Sequence, residues 1–316
     1  MNGPLPREPS RNERPERPKR FDNRDYVSIT MEFRCNLRCV HCMIEGTMDR
    51  LAPEPRAKFD ELLAVNARER RWNGIILTGS EITLLRDLHD LSRRARAAGF
   101  EHVRIQTHGM HLADADFCES LIDAGIDEYF VSVAGPDAAR HDAITGVPGS
   151  FEKTLRGLET LDRRGGVVAM TNTVVTEFSY PGLVEVVERL AHLRNLAQME
   201  FWVYWPMRES DDKNLIASHA AIAPHLKAAL KRARALGRGV EVKNFPECLL
   251  GEEASALVNA QPQLLTDPAF WPEFMRNGFY QCVYRERCAS EECLGLSTAY
   301  IGKFGYEENI LSPIVR

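Results

Sequence analysis

The sequence predicts an α/β fold in which parallel β-strands alternate with helices. Three observations predict it: short runs of β-branched and apolar residues recur along the chain, longer segments with helical spacing separate them, and no apolar run is long enough to span a bilayer. The candidate strands lie at residues 26–31, 74–78, 102–107, 128–133, 167–175 and 199–205. With right-handed crossovers, six such strands form either an open doubly wound sheet or an incomplete (β/α) barrel.

The candidate helices show apolar residues at intervals of three and four, the spacing that aligns side chains on one helix face. They lie at residues 56–71, 85–98, 113–124, 150–164, 182–193 and 217–236. In either version of the fold, the carboxyl ends of the parallel strands meet at one edge, where ligands bind. The residues that follow each strand are therefore the first candidates for chemistry.

The composition is that of a soluble globular protein. The chain has 316 residues, of which 44% are apolar and 27% charged, and its 40 basic and 45 acidic side chains give a formal net charge of −5. This mild acidity predicts neither nucleic acid nor a membrane as a partner. The N-terminal segment lacks the apolar stretch of a secretory signal, so we expect a cytoplasmic protein.

Composition also divides the chain into three parts. Residues 1–24 are rich in Pro, Arg and Glu, which predicts a disordered tail. Residues 25–236 carry the alternation of strands and helices. Residues 237–316 hold four of the eight cysteines and predict a small C-terminal domain. Because cytoplasmic thiols stay reduced, metal ligation or catalysis explains these cysteines better than disulfides do.

Three cysteines follow the first strand within eight residues: Cys35, Cys39 and Cys42. Three thiolates on one loop suit an iron–sulfur cluster, which would keep one iron without a protein ligand. The alternative is a zinc site, for which His41 could supply a fourth ligand. The spacing C-x3-C-x-aromatic-C, with His41 in the aromatic position, resembles the signature of the radical S-adenosylmethionine superfamily.

That resemblance implies a partial (β/α)6 TIM-like barrel in which the three cysteines hold a 4Fe–4S cluster and the free iron takes S-adenosylmethionine. It implies reductive cleavage of the sulfonium to a 5′-deoxyadenosyl radical, which abstracts hydrogen from a substrate. It also implies an external reductant such as flavodoxin or ferredoxin. His41 is then expected beside the cofactors.

Later strand ends resemble the same superfamily in the same order. Gly79-Ser80-Glu81 is similar to its Gly-Gly-Glu, and Thr107-His108-Gly109 to its Thr-Asn-Gly. By this resemblance Glu81 and the backbone of Gly79 and Ser80 would hold the amino group of S-adenosylmethionine. Thr107 would position the nucleoside. Ser132 and Asn172, after strands four and five, would contact the carboxylate or the ribose of S-adenosylmethionine.

Four further cysteines lie late in the chain, at Cys248, Cys282, Cys288 and Cys293. Four thiols complete either a four-iron cluster or a tetrahedral zinc site. This region is similar to the shortened auxiliary-cluster domains called twitch domains, whereas the longer SPASM arrangement would need more cysteines, for two clusters. The resemblance implies a second, auxiliary 4Fe–4S cluster, whose full ligation favours electron transfer. Cys118, within a helical pattern, is predicted to be a small buried apolar residue.

Strand six is unusually aromatic, and alternation places Glu200, Trp202 and Tyr204 on one face. Tyr204 is predicted to stack or to relay a hydrogen atom, and Arg208 to grip a carboxylate. His108, with His111 nearby, is a further catalytic candidate.

Three functions are consistent with these residues. The first is radical modification of a peptide in natural-product (RiPP) maturation. The second is the same chemistry on a small metabolite or nucleotide, as in the molybdenum-cofactor branch of the superfamily. The third is a non-enzymatic zinc or iron–sulfur protein.

Overall fold

A computed structural model describes residues 22–44 and 50–315, so most of the predicted N-terminal tail lies outside the described residues. Eight parallel strands form one sheet in the order β7-β6-β5-β4-β3-β2-β1-β8. They are β1 (Tyr26–Glu32), β2 (Gly74–Gly79), β3 (His102–Thr107), β4 (Glu128–Ser132), β5 (Val168–Val175), β6 (Leu196–Val203), β7 (Gly239–Lys243) and β8 (Gln263–Leu265). The two edge strands, β7 and β8, are not paired with each other in the described part of the chain. The sheet is therefore an open, partial TIM-type barrel, which confirms the predicted fold class.

Nine α-helices occur within residues 22–44 and 50–315. They are α1 (Arg56–Glu69), α2 (Leu88–Ala97), α3 (Ala115–Asp123), α4 (Ala138–Thr145), α5 (Ser150–Arg164), α6 (Leu183–Arg189), α7 (His219–Ala235), α8 (Phe270–Met275) and α9 (Thr298–Phe304). None of the helices in this part of the chain is both long and apolar enough to cross a membrane.

The strand count differs from the six predicted, because two strands come from the cysteine-rich part of the chain. β7 pairs with β6, and β8 pairs with the free side of β1. β7 alternates apolar and charged residues, and β8 has only three residues, so neither stands out in the sequence as an apolar run. Residues beyond 236 thus supply both edges of the sheet.

The main core lies between the sheet and its helices. On β1, Val27, Ile29 and Met31 enter this core, together with the alternate residues of the neighbouring strands. The residues between them, Ser28 and Thr30, lie on the opposite face, because successive strand side chains point to opposite sides. The inner face of β1 therefore carries polar side chains at Ser28 and Thr30, whereas its outer face is apolar.

The amino end of the barrel is closed by a buried ionic cluster. The Tyr26 hydroxyl donates to both carboxylate oxygens of Glu128 at 3.0 Å, and Arg104 Nε donates to Glu128 Oε2 at 2.8 Å. The Arg104 guanidinium also lies 4.3 Å from the centre of the Tyr26 ring. All three side chains are buried, and burial raises the pKa of Tyr26.

Replacing Glu128 with Gln should lower the free energy of unfolding by about 3–5 kcal/mol, because it leaves the Arg104 charge buried without a counter-charge. Urea denaturation of the two proteins measures this difference. Tyr26→Phe is the matched control; it removes the hydroxyl and keeps the ion pair, and should cost about 1.5–3 kcal/mol. Equal losses for the two variants would show that the charge of Glu128 is not what stabilises this end of the barrel.

Candidate active site at the carboxyl ends of the strands

The cysteine loop, residues 33–44, leaves β1 at the carboxyl edge of the sheet and is anchored on the end of α4. Arg38 N donates to Thr145 O, and Val40 N to Ile144 O, both at 2.9 Å. Gly146 ends α4 with a φ of +71°, and a Cβ there would lie 2.8 Å from the carbonyl oxygen of Arg38. The glycine therefore permits the close approach that holds the loop.

None of the three thiols of this loop is joined in a disulfide in the described part of the chain. The Cys35 residue is exposed, but its sulfur is desolvated, which raises the pKa of the thiol; the charges of Glu81 and Cys42 raise it further. Leu37 N donates to Cys35 Sγ at 3.3 Å. No three His, Cys, Asp or Glu side chains within residues 22–44 and 50–315 are arranged to hold a single metal ion. Three soft thiolates nevertheless suit an iron–sulfur cluster by their chemistry.

His41 lies between the cysteines with its ring buried. Burial lowers the pKa of His41 to about 4, and the charges of His141 and Lys213 act in the same direction. Its Nδ1 is buried without a hydrogen-bond partner. The ring is therefore neutral at pH 7, and its place among the cofactor contacts stays a prediction.

Gly79 and Ser80 join the end of β2 to the end of β1. A Cβ at Gly79 would lie 1.9 Å from the carbonyl oxygen of Glu32, so only glycine permits this approach. Ser80 N donates to the same oxygen at 2.8 Å, and Glu81 N donates to Arg34 O at 3.1 Å. Gly79 and Ser80 remain partly exposed, so their backbone is accessible to a ligand.

The Glu81 carboxylate makes several hydrogen bonds within the protein, and its predicted contact with S-adenosylmethionine stays a prediction. The carboxylate is fully buried and accepts hydrogen bonds from Thr83 N and Oγ1, from Thr107 Oγ1 at 2.7 Å and from His108 N at 2.8 Å. Thr107 is also buried, and its hydroxyl accepts from Gly109 N at 3.0 Å. In this structure both side chains are engaged within the protein, and they organise the β2 and β3 ends.

His108 is likewise a buried residue. Burial lowers the pKa of His108, although the charge of Glu81 opposes this. Its Nδ1 accepts from Met110 N at 3.1 Å, so its proton lies on Nε2, which is 2.6 Å from Asn36 Oδ1. His111, the weaker candidate, lies 3.0 Å from the Thr83 hydroxyl.

Ser132 and Asn172 are neighbours at the ends of β4 and β5, where they pair in register. Ser132 is exposed, unlike the four strand residues before it. Asn172 is buried, and its Oδ1 has no hydrogen-bond partner. A buried amide oxygen without a partner is costly, so this pair fits the polar groups of a bound cofactor.

On β6 the predicted alternation is confirmed. Met199, Phe201 and Val203 enter the helix-side core, whereas Glu200 and Trp202 lie on the other face. Glu200 is buried and accepts from Trp202 Nε1 at 2.7 Å, and the Trp202 ring lies 5.8 Å from that of Phe130. Trp202 is only half-buried and so is accessible from the barrel interior.

Tyr204 directly follows β6. It packs against a small apolar cluster of the C-terminal region that also contacts Cys248 and Cys282. Burial raises the pKa of Tyr204 to about 12, and the charges of Asp211 and, more weakly, Cys42 contribute. Arg208 lies on the exposed loop beyond, 3.5 Å from Asp212, so in this structure its charge is directed to a neighbouring carboxylate.

The four late cysteines line a single cavity, whose other walls include Leu296, Leu311 and Ile314. The cysteines in it are Cys248, Cys282, Cys288 and Cys293. Backbone N–H groups point at two sulfurs: Ile314 N lies 3.3 Å from Cys288 Sγ, and Gly295 N lies 3.4 Å from Cys293 Sγ. Burial raises the pKa of Cys293, and the neighbouring thiolates add to this. Four thiols in one largely apolar cavity fit a fully ligated cluster, and they fit zinc equally by number.

The family is decided by the cysteine loop and the strand ends together. The model of the radical SAM superfamily matches residues 29–190, which include all three loop cysteines and the ends of β1 to β5. The chain belongs to the radical SAM superfamily. Members of this superfamily are enzymes that use a 4Fe–4S cluster and S-adenosylmethionine, and they need an external reductant and a substrate.

Curated relatives of this radical SAM enzyme match over part of their length. A "Probable GTP 3',8-cyclase" from Methanopyrus kandleri is 32% identical over 170 residues, 54% of each chain. An AdoMet-dependent heme synthase from Oleidesulfovibrio alaskensis is 32% identical over 147 residues, 46% of this chain and 37% of that protein. The chain thus spans about half the length, or less, of these relatives.

Solved structures show the same fold at low identity. Native anSMEcpe with bound AdoMet covers 69% of this chain and 64% of its own, with a TM-score of 0.55 and 16% identity. Methylornithine synthase (PylB) covers 76% and 73%, with a TM-score of 0.52 and 11% identity. At these identities the likeness shows the fold alone.

Two residues of the site were not among those predicted from the sequence. Asn36, directly after Cys35, binds His108, and Thr83 donates to Glu81 from both its amide and its hydroxyl. Asn36 could have been singled out by its position, since it lies between two cysteines of the loop. Thr83 had none, because a threonine two residues after a carboxylate is ordinary in sequence.

Proposed function

We propose that this radical SAM enzyme modifies a small metabolite and uses a second cluster for electron transfer. The observation that carries the proposal is the superfamily match over residues 29–190, which includes the three thiols and the strand ends with the accessible polar groups. The relatives that match this region are named for GTP cyclisation and heme synthesis. They favour a small metabolite over the peptide that the sequence analysis placed first.

Cys35, Cys39 and Cys42 would hold the first cluster. The backbone of Gly79 and Ser80 would receive the amino group of S-adenosylmethionine, and Asn172 and Ser132 its carboxylate or ribose. When bound, the cluster and S-adenosylmethionine supply reductive cleavage of the sulfonium and a 5′-deoxyadenosyl radical. The protein contributes placement of these groups and exclusion of water.

The substrate would lie in the mouth of the barrel against the half-buried Trp202. An indole held by Glu200 is a rigid flat surface, suited to stacking on a planar ring. Tyr204 lies at the same edge and keeps its phenolic proton across the neutral range, because its pKa is raised to about 12. It is therefore suited to donate a hydrogen bond or a hydrogen atom. Arg208 would pair with an anionic group of the substrate in place of Asp212.

The C-terminal cavity would hold the auxiliary 4Fe–4S cluster. Its four thiols complete the ligand set of such a cluster, so this site would pass electrons rather than bind substrate. The amide donors at Cys288 and Cys293 would tune its reduction potential. A flavodoxin or ferredoxin would deliver the electron to the first cluster.

The test is anaerobic reconstitution followed by iron and sulfide counting and an assay of 5′-deoxyadenosine after addition of dithionite and S-adenosylmethionine. We expect about eight irons per chain. We also expect deoxyadenosine formation to be stimulated by GTP, the small molecule in the name of one relative. Stimulation by peptides alone would overturn the choice of substrate class. Bound zinc without deoxyadenosine would instead establish a non-enzymatic metal protein.

A further inference from the structure

The segment after Cys35 is connected to the ends of β2 and β3 by a partly buried hydrogen-bonded chain. His108 Nε2 lies 2.6 Å from Asn36 Oδ1 and 3.1 Å from Glu81 Oε2. The acceptor role of His108 Nδ1 toward Met110 N leaves Nε2 as the protonated nitrogen. The ring therefore donates from Nε2 to the cysteine loop.

The main chain of His108 is held on both sides, so its ring is a rigid support. Its N–H donates to Glu81 Oε2 at 2.8 Å, and its carbonyl oxygen accepts from Thr154 Oγ1 of α5 at 2.8 Å. Asn36, in contrast, is an exposed residue of the loop. The bond thus joins a fixed element of the barrel to the residue that follows Cys35.

We propose that His108 is a positioning residue that fixes the Cys35 segment against the ends of β2 and β3 through its bond to Asn36. This inference rests on the proposed function, in which one ligand must reach the cluster on the loop and the polar groups of the strand ends at the same time. Groups that are held in place before binding raise affinity, because less ordering is needed when the ligand binds. His108 acts through Asn36 and need not touch the substrate.

Two substitutions of His108 test the roles of its two ring nitrogens separately. His108→Asn places an amide oxygen near the Nδ1 position and can keep the bond from Met110, but it cannot reach Asn36. His108→Gln places an amide nitrogen near the Nε2 position and can keep the bond to Asn36. We expect the KM for S-adenosylmethionine, measured by deoxyadenosine formation, to rise about tenfold in His108→Asn and to stay within about twofold in His108→Gln.

Asn36→Ala tests the same bond from the exposed side, where the substitution leaves the core intact. It should also raise the KM about tenfold, with the iron content unchanged because all three thiols remain. The double variant His108→Asn/Asn36→Ala should be no worse than either single variant, since both remove one interaction. The electron paramagnetic resonance spectrum of the reduced cluster should change less on addition of S-adenosylmethionine in His108→Asn than in His108→Gln.

His89→Asn is the matched control, since His89 is a half-buried histidine that contacts Ser120 between α2 and α3. It should leave the KM unchanged. Equal KM values for the Asn and Gln variants, or multiplied effects in the double variant, would overturn the inference. Failure of the wild-type protein to form deoxyadenosine would overturn the proposed function instead, so the two failures are distinguishable.

Discussion

Simultaneous replacement of Cys35, Cys39 and Cys42 with Ala is expected to abolish deoxyadenosine formation and to remove about four irons per chain. In the described structure the three thiols are not joined in disulfides, and they lie on one anchored loop. A cluster that loses its thiolate ligands cannot be held, and reductive cleavage of the sulfonium depends on it. The measurement is anaerobic iron counting with chromatographic assay of deoxyadenosine, compared with the wild-type enzyme.

Cys118→Ala is the matched control for this result. Cys118 is a buried cysteine of α3 that packs in the main core, as its sequence context predicts. Its loss should change neither the iron content nor the cleavage rate. Persistent cleavage in the triple variant would contradict the assignment of the first cluster to the loop.

Replacement of Cys282 and Cys288 with Ala should lower the iron content from about eight to about four per chain. Cleavage of S-adenosylmethionine should continue, because the loop thiols are untouched, whereas turnover of the true substrate should be lost. The two thiols line the same cavity as Cys248 and Cys293. With only two thiolates remaining, that cavity no longer has the ligands for a four-iron cluster.

Iron counting and zinc analysis of the double variant decide between the two metals that fit this cavity. A loss of zinc with no loss of iron would contradict the auxiliary cluster and identify a structural zinc site. Again Cys118→Ala supplies the control, since it tests whether removal of any buried thiol disturbs the iron content.

The fold was predictable where one physical signal dominates. Each of the six predicted strands has a run of apolar residues, because its alternate residues pack in the helix-side core; Ile75 and Leu77 of β2 are examples. β7 and β8 could not be found this way. The alternating charges of β7 lie on the inner face, where Lys243 Nζ donates to Val258 O at 2.7 Å, and β8 is too short to show a period.

The sequence predicted the residue types that could bind a cofactor, but not the hydrogen bonds that these residues make within the protein. Cysteine spacing indicated where three thiols stand, because chain connectivity alone keeps them together. The sequence does not reveal which protein groups donate hydrogen bonds to a given carboxylate. Glu81 was expected to meet a ligand, yet Thr107 and His108 take its hydrogen bonds. These contacts join residues that lie 26 and 27 positions apart in the chain, and only the folded structure shows them.

The position of β8 has a consequence for how the chain reaches its folded state. β1 is one of the first described elements, but its outer neighbour β8 lies near the other end of the chain. Such pairing has a high contact order. It forms slowly, because the entropy of a long loop is lost before the contacts between the two strands can stabilise the fold. During synthesis the outer edge of β1 therefore waits unpaired while most of the protein is still being made, and an unpaired edge invites aggregation. We expect soluble yield to be limited by this late closure, so that slower or cooler expression favours the native protein.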